Sequence, residues 1–309
     1  MVVYLPDETL ESMDIAPDTL ANAIEDALFA KANGTLHVTP KSALLPGGGR
    51  YMMATLAVGD LTVVKQVTVS PDNPSKGLPA INGAILVLDA ETGQLRAVIG
   101  ANWITAHRTA ALSAVAAKRL ADPSSEVIAF VGTGVQARSH LAAFKDQFPL
   151  NTVIAFGRGK QSMKALQQEA TRAGLNFQAA ETPEAALRDA DIIVSSVTLD
   201  YSIDPFLSDR WMKQNALAAI TDLCIPWHPF ATMGTIVVDD MEQERTAEKP
   251  MLPYESIAGD LTGLVQSSIA VDMTKPRAFA FRGIALGDYA AAALALRVAE
   301  ETGAGQQIG

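Results

Sequence analysis

The sequence predicts an α/β protein of two domains, and three observations point there. From Glu126 onward, short apolar runs alternate with helical stretches. The run Val127–Val131 ends in the turn Gly132-Thr133-Gly134. The preceding stretch, Leu36 to Ile99, has the alternating, β-branched texture of an antiparallel sheet.

Length and composition agree. A chain of 309 residues is more economically divided into two cores than built around one. With 49% hydrophobic and 19% charged residues it has an ordinary globular composition. A net charge of -10 argues against general affinity for nucleic acid or anionic membranes, which would repel such a surface. The one cysteine, Cys224, excludes an intramolecular disulfide and fits a reducing compartment. The opening residues lack a basic segment followed by an apolar run, and no stretch of about 20 residues is apolar enough to span a bilayer. A cytoplasmic location is the expectation.

Taken in order, a short strand precedes a helical start in which Leu20, Ile24 and Leu28 recur at helical spacing after Ala16-Pro17-Asp18. Strands are predicted at Tyr51–Val58, Leu61–Val69, Gly83–Leu88 and Leu95–Ile99, separated by Gly, Pro, Asn and Asp turns. An alanine-rich helix from about Thr105 to Leu120 leads to the second half and stops before Asp122-Pro123. There the apolar runs are Val127–Val131, Thr152–Phe156, Asp191–Ser195, Leu217–Thr221 and Thr235–Val238, with helices at Gln136–Asp146, Lys160–Ala173 and Pro183–Leu187. This alternation specifies a parallel, doubly wound sheet. A last alanine-rich helix, Gly283–Glu301, is expected to pack back on the first domain.

The glycine turn has chemical content. Gly132-Thr133-Gly134-Val135-Gln136-Ala137 is a G-x-G-x-x-A pattern between a strand and a helix. The first glycine allows the tight turn, the second lets backbone approach a pyrophosphate, and the alanine permits close helix–strand packing, while free N–H groups at the helix start meet the phosphates. A Rossmann-type unit binding NAD(H) or NADP(H) is therefore expected. The next strand ends in Phe156-Gly157-Arg158-Gly159-Lys160 with no acid for a ribose 2′-hydroxyl, so Arg158, with Lys160, is the candidate acceptor of a 2′-phosphate.

Around this turn the chain resembles the ornithine cyclodeaminase/mu-crystallin family. The matching stretches are Lys65-Gln-Val-Thr-Val-Ser-Pro-Asp-Asn-Pro, Gly77-Leu-Pro-Ala-Ile-Asn-Gly, Asp89-Ala-Glu-Thr-Gly-Gln-Leu, Ile104-Thr-Ala-His-Arg-Thr-Ala-Ala, Gly132-Thr-Gly-Val-Gln-Ala and Gly283-Ile-Ala-Leu-Gly-Asp288. The resemblance implies a substrate-binding and dimerisation domain (residues 1–112 with 289–309), a Rossmann domain (113–288) and a homodimer. It also implies coenzyme contacts at Thr109, Gly132, Thr133, Gly134, Val135, Gln136, Arg158, Ser196, Val197, Thr198, Asp222 and Gly283. Relatives reduce imino acids, dehydrogenate amino acids such as alanine, or cyclise ornithine with loss of ammonia, all through an imine bearing an α-carboxylate. That chemistry needs cations for the carboxylate and a proton source for the nitrogen. Lys41, Lys65 and Arg108 match the family's basic positions. Arg108 suits a two-pronged grip on a carboxylate, and Lys65 suits proton exchange because neighbouring cations lower an ammonium's pKa.

Two departures matter. In Asp222-Leu-Cys224-Ile-Pro226 an ungapped reading puts Cys224 where cyclodeaminases carry a catalytic aspartate, with Asp222 two residues earlier as its candidate replacement. Arg50-Tyr51-Met52-Met53 stands where ornithine users place an acid, which suggests a dicarboxylic imine such as iminosuccinate, with Arg50 as a distal clamp; the alternative is an exposed turn residue after three glycines. His107 and His140 lack a second ligand at metal spacing, so no metal is expected. Trp103, Met52 and Met53 read as core, and Cys224 as packing. The expected activity is an NAD(P)H-dependent imine reductase, reversible as an amino acid dehydrogenase. The alternatives implied by the resemblance are a cyclodeaminase that retains NAD and a mu-crystallin-like ligand-binding protein without turnover.

Overall fold

The computed structural model describes the backbone of residues 1–309 and every side chain except that of Pro74. The chain divides into two compact units, Met1–Arg108 with Gly283–Gly309 (unit 1) and Thr109–Arg282 (unit 2). In chain order the elements begin with β1 (Val2–Leu5), α1 (Asp7–Ser12), α2 (Pro17–Ala32), β2 (His37–Val38), β3 (Ser42–Gly47), β4 (Arg50–Val58), β5 (Leu61–Val69), β6 (Ile81–Asp89), β7 (Leu95–Gly100) and α3 (Ala101–Leu120). Next come β8 (Val127–Val131), α4 (Val135–Phe144), β9 (Thr152–Phe156), α5 (Lys160–Arg172), β10 (Asn176–Ala179), α6 (Pro183–Leu187), β11 (Ile192–Ser195), β12 (Leu217–Ile220) and β13 (Thr235–Val238). The chain ends with α7 (Met241–Thr246), β14 (Gly259–Asp260), α8 (Leu261–Val265), β15 (Arg277–Ala280), α9 (Ala285–Thr302) and β16 (Gln306–Ile308).

Unit 1 is a mostly antiparallel sheet in the order β16-β1-β7-β6-β5-β4-β2, with β3 hairpinned onto β4. Alternation assigns its faces. Val63, Lys65, Val67, Ile85, Val87, Ala97 and Ile99 point inward and are buried, with α9 lying on β4, β5 and β6 and packed against α2. The helical stripe read from sequence is the buried stripe of α2, where Leu20, Ile24 and Leu28 are all enclosed. The opposite face carries a continuous apolar row in cross-strand register: Leu56 opposite Val64, Val64 opposite Leu86, Leu86 opposite Val98, and Val98 opposite Tyr4. Leu56, Leu86 and Tyr4 are exposed.

Several boundaries differ from expectation, the first junction between the units falling after Arg108 instead of residue 112. Helix α3 starts at Ala101 rather than Thr105 because Asp7, far away in sequence, accepts the Trp103 N–H at 2.8 Å and caps its first turn. Gly100 permits this approach, since a Cβ there would lie 2.8 Å from Asp7 atoms. The second junction falls at Gly283, not after residue 288, because the first turn of α9 buries Asp288 among unit 1 side chains.

Unit 2 is an all-parallel sheet ordered β10-β9-β8-β11-β12-β15-β13-β14. Its central strands β11, β12, β13 and β15 are buried along their whole lengths, as strands covered on both faces must be. The order of β10 to β12 is the Rossmann 3-2-1-4-5 arrangement, and direction of winding reverses between β8 and β11. Ligands bind at the carboxyl ends of the strands flanking such a reversal. Among the described residues, no helix is long and apolar enough to cross a membrane.

Candidate active site

In unit 2 the turn after β8 adopts the conformation its residues predicted. Gly132 has φ +91°, and a Cβ on it would fall 2.5 Å from the Ser196 carbonyl oxygen, so β8 and β11 can end side by side only with glycine there. Gly134 precedes α4 with no side-chain cap, leaving first-turn N–H groups for an anion. A Cβ on Gly134 would meet nothing within 4 Å, so its backbone borders open space, and Ala137 is fully buried where the helix approaches the strand. A cleft of about 640 Å³ opens here, lined by Gly132, Thr133, Gly134, Arg158, Ser196 and Thr198 among others. Thr133 and Ser162 share a hydroxyl–hydroxyl bond of 2.8 Å, and the Ser162 hydroxyl also donates to the Gly159 carbonyl, which holds the second strand's loop against the glycine turn. The Ser196 Oγ and Gln136 Oε1 atoms are buried without a hydrogen-bond partner, as groups awaiting a polar ligand would be. These features fit a dinucleotide. Arg158 is exposed on the cleft, Val135 is exposed at the start of α4, and Thr109 is buried in α3.

Asp222 follows β12 and is buried, its Oδ1 accepting the Ser195 hydroxyl and its Oδ2 the Val197 N–H, both at 3.1 Å. Burial raises its pKa to about 6, against those hydrogen bonds. The next two residues, Leu223 and Cys224, both have φ near +57°, a conformation that costs a non-glycine residue roughly 1–2 kcal/mol. Such strain concentrates where geometry serves a site. Asp222 thus occupies the carboxyl edge of the parallel sheet. Cys224 is buried with its thiol pKa pushed up by burial and by the charges of Asp222 and Glu244, which leaves it a packing group.

Unit 1 assembles the second constellation. Lys65, mid-strand in β5 opposite Thr55, points inward at 2% exposure. Its Nζ donates to Asp288 Oδ1 at 2.7 Å, and the Thr55 hydroxyl donates to Asp288 Oδ2 at 3.1 Å. Arg108 Nε lies 2.9 Å from the same Oδ1 as an ion pair, but its N–H is not aimed well enough for a hydrogen bond, and Nη1 is buried with no partner. Burial lowers the Lys65 pKa to about 8, opposed by Asp288 and assisted by Arg108. For Asp288, burial alone would raise the pKa, yet the charges of Arg108 and Lys65 and the hydrogen bonds from Lys65 and Thr55 hold it below the usual carboxylate range.

The remaining expected residues are placed as follows. Lys41 is half-buried in the segment between β2 and β3 that faces Thr55 and Leu56 at the sheet edge. Arg50 is not brought to the cluster. It sits exposed at the tip of the β3–β4 hairpin, its Nε donating to the Gly47 carbonyl at 3.2 Å, roughly 17 Å along the strand from Thr55 and beyond the reach of a side chain. The three positive-φ glycines 47–49 make that tight projecting turn, which is the alternative the sequence left open. Gly283 belongs to unit 1: with φ +90° it packs on the Arg108 guanidinium, where a Cβ would be 2.7 Å from Nη1. His140 is buried with Nδ1 on the Gln136 carbonyl and Nε2 on Ser113, and burial drops its pKa to about 4, so it is a neutral brace. His107 bonds the Trp103 carbonyl and stacks on that indole at 4.2 Å. Sequence reading missed Asp288, Thr55, Ser162 and Ser195 as site residues. For Asp288 the available signal was an acid in the first turn of a helix otherwise too apolar to face water.

Known proteins resemble this chain in sequence and in fold. A family model described as the ornithine cyclodeaminase/mu-crystallin family matches residues 6–224. The chain is 28% identical over 249 residues to the ketimine reductase mu-crystallin of Mus musculus, covering 79% of this chain and 78% of that protein. Its fold matches Thermococcus litoralis Delta(1)-pyrroline-2-carboxylate reductase in complex with NADH and L-proline (TM-score 0.89, 22% identity, 99% of this chain and 100% of the other). It also matches an archaeal alanine dehydrogenase dimer with bound NAD (TM-score 0.87, 24% identity, 100% and 99%) and the iminosuccinate reductase of Paracoccus denitrificans with NAD+ (TM-score 0.83, 21% identity, 100% and 99%). With the family model spanning well over half its length, and the Rossmann turn and the Lys65–Arg108 cluster both in place, the chain belongs to the ornithine cyclodeaminase/mu-crystallin family.

Proposed function

We propose that the protein is an NAD(P)H-dependent reductase of a small 2-imino acid, running in reverse as an amino acid dehydrogenase. The carrying observation is Arg108, a buried guanidinium with an unspent donor beside a lysine whose pKa lies near 8, on a chain that also bears a dinucleotide cradle. When bound, the reduced coenzyme supplies a hydride. Unit 2 holds it through the Gly132–Gly134 turn and the first turn of α4. In unit 1, Arg108 grips the α-carboxylate through its free N–H groups, and Lys65 delivers the proton that the nitrogen needs as the carbon accepts the hydride, so that C=N becomes CH–NH. Asp222, with its pKa near 6, is the second candidate for proton exchange. A lysine titrating near 8 is poised for transfer close to neutral pH, which a free lysine at 10.5 is not.

The iminosuccinate reading rested on Arg50, and the hairpin position withdraws that support, although a reductase of iminosuccinate shares the fold. A monocarboxylic imine is the better match to one guanidinium. Arg158 on the cleft, with no acid at the end of β9, favours use of NADPH at least as well as NADH. An absorbance assay with pyruvate, glyoxylate, oxaloacetate or cyclic imines, ammonia for the oxo acids, and each coenzyme tests all three statements. Consumption of NAD(P)H is expected. Ammonia release from ornithine with no net absorbance change would identify a cyclodeaminase instead, and neither signal would identify a binder. A strong NADH preference would reject the role of Arg158.

The protein also forms a homodimer in this reading, through the outer face of the unit 1 sheet. Five strands place Leu56, Val64, Leu86, Val98 and Tyr4 in one apolar row, which a second copy of the same row covers by self-complementarity. Leu86→Asp is expected to give a monomer by light scattering with far-ultraviolet dichroism unchanged; a dimer that survives the substitution rejects this face.

A further inference from the structure

We propose that Asp288 is the positioning residue of the substrate site, its single carboxylate shared between Lys65 and Arg108 so that one cation is set to exchange protons and the other to bind an anion. The inference deepens the imine-reductase reading of this cluster. It begins from charge. Two buried cations a few ångströms apart repel, and neither is stable in a low-dielectric interior without an anion. Asp288 supplies that anion from the first turn of α9, where the helix N-terminus also favours a negative charge. Its Oδ1 takes Lys65 Nζ at 2.7 Å and the Arg108 Nε edge at 2.9 Å, while Thr55 holds Oδ2 at 3.1 Å and fixes the carboxylate plane.

The consequences for the two cations differ. Asp288 lies on the Nε side of Arg108, so the guanidinium is oriented by that edge while Nη1 keeps an unspent N–H. Gly283 closes over the Nη atoms with backbone alone, since any side chain would collide with them at 2.7–2.8 Å. For Lys65, burial and Arg108 push the proton off and Asp288 pulls it back. Counting charges, two cations and one anion leave the cluster one positive charge in excess, which a single substrate carboxylate neutralises. That carboxylate in turn raises the affinity of Lys65 for its proton, so substrate binding and proton retention are coupled.

The test reads the Lys65 titration directly, by NMR of the lysine Cε in isotope-labelled full-length protein. Asp288→Asn keeps shape and removes the anion, so the Lys65 midpoint should fall by roughly 1–3 pH units from its wild-type value. Arg108→Gln removes the competing cation and leaves the 2.7 Å pair, so the midpoint should rise. Opposite signs are the signature, because a merely structural disturbance would move both the same way. Should Asp288→Asn not fold, Asp288→Ser removes the same charge with a smaller side chain and should give the same fall. A midpoint unmoved in Arg108→Gln, or raised in Asp288→Asn, overturns the proposal. The kinetic arm separates it from the assigned reaction: the basic limb of kcat/KM for imine reduction should follow the NMR midpoint. Shifted midpoints without any imine turnover would sink the reductase reading and leave Asp288 as a positioning group.

Discussion

Replacing Lys65 with Met should lower kcat/KM for imine reduction by roughly 10²- to 10⁴-fold, the usual contribution of a positioned acid or base, while leaving coenzyme affinity unchanged. The physical case is that Lys65 is 2% exposed, has a lowered pKa near 8 and donates to a carboxylate at 2.7 Å. Its protonated form is the active acid in the reductive direction, so wild-type activity should be full below about pH 8 and decline as pH rises through that value. In the Met variant that limb should vanish along with most of the rate. The oxidative direction needs the neutral amine and should show the mirror-image dependence. Methionine is similar in length and apolar, and Asp288 retains Arg108 and Thr55 as partners, so the fold has no strong reason to fail. Coenzyme binding, followed by NADH fluorescence, belongs to the Gly132–Gly134 turn of unit 2 and should be unaffected. An Lys65→Met enzyme within threefold of wild type would transfer the proton role to Asp222.

A loss of about 3–5 kcal/mol in stability is expected for Arg277→Met, although Arg277 touches neither cleft nor cluster. This arginine is fully buried at the start of β15, with the charges of Asp122 and Asp272 near enough to favour its charged form. Its guanidinium donates to four backbone carbonyls: Nε to Leu120 at 2.7 Å, Nη1 to Met273 and Lys275 at 3.1 and 2.9 Å, and Nη2 to Asn215 at 2.8 Å. One side chain thereby satisfies the end of α3, the loop before β12 and the approach to β15. Each carbonyl left buried without a donor costs roughly 1–3 kcal/mol, less whatever water recovers. At about 2–4 °C per kcal/mol for a domain of this size, thermal unfolding should move down by about 10 °C. Lysine should rescue little, because three tetrahedral donors on a compact ammonium cannot reach four carbonyls spread around a planar fork. A midpoint within about 2 °C of wild type would show that those carbonyls are solvated without Arg277.

Much of unit 2 was legible because its signals are local. Strands Val127–Val131, Thr152–Phe156 and Thr235–Val238 have the bounds read from sequence, since an apolar run and a turn residue decide a buried parallel strand with little outside help, and helix Pro183–Leu187 does too, with proline in its first turn and Thr182 as its cap. Strand β15 escaped because it opens with an arginine, a residue that looks solvated until the distant carbonyls of Leu120 and Asn215 join two local ones around it. The start of α3 escaped for the same kind of reason: its cap is Asp7, not a neighbour. Arg50 shows the converse. The family resemblance made it a candidate anion clamp, but the register of β4 puts it at a projecting tip.

What the sequence by itself determined is the parallel nucleotide-binding unit and its glycine turn, because φ at Gly132 and the free N–H groups before Gln136 are properties of a few consecutive residues. What tertiary structure alone decided is the carboxylate that Lys65 and Arg108 share. Lys65, Arg108 and Asp288 come from a strand and two helices far apart in the chain, and only the fold buries these three common charged residues in one cluster around a single carboxylate. The physical reason is that desolvation and charge pairing are sums over spatial neighbours, whereas backbone conformation is largely settled within a turn.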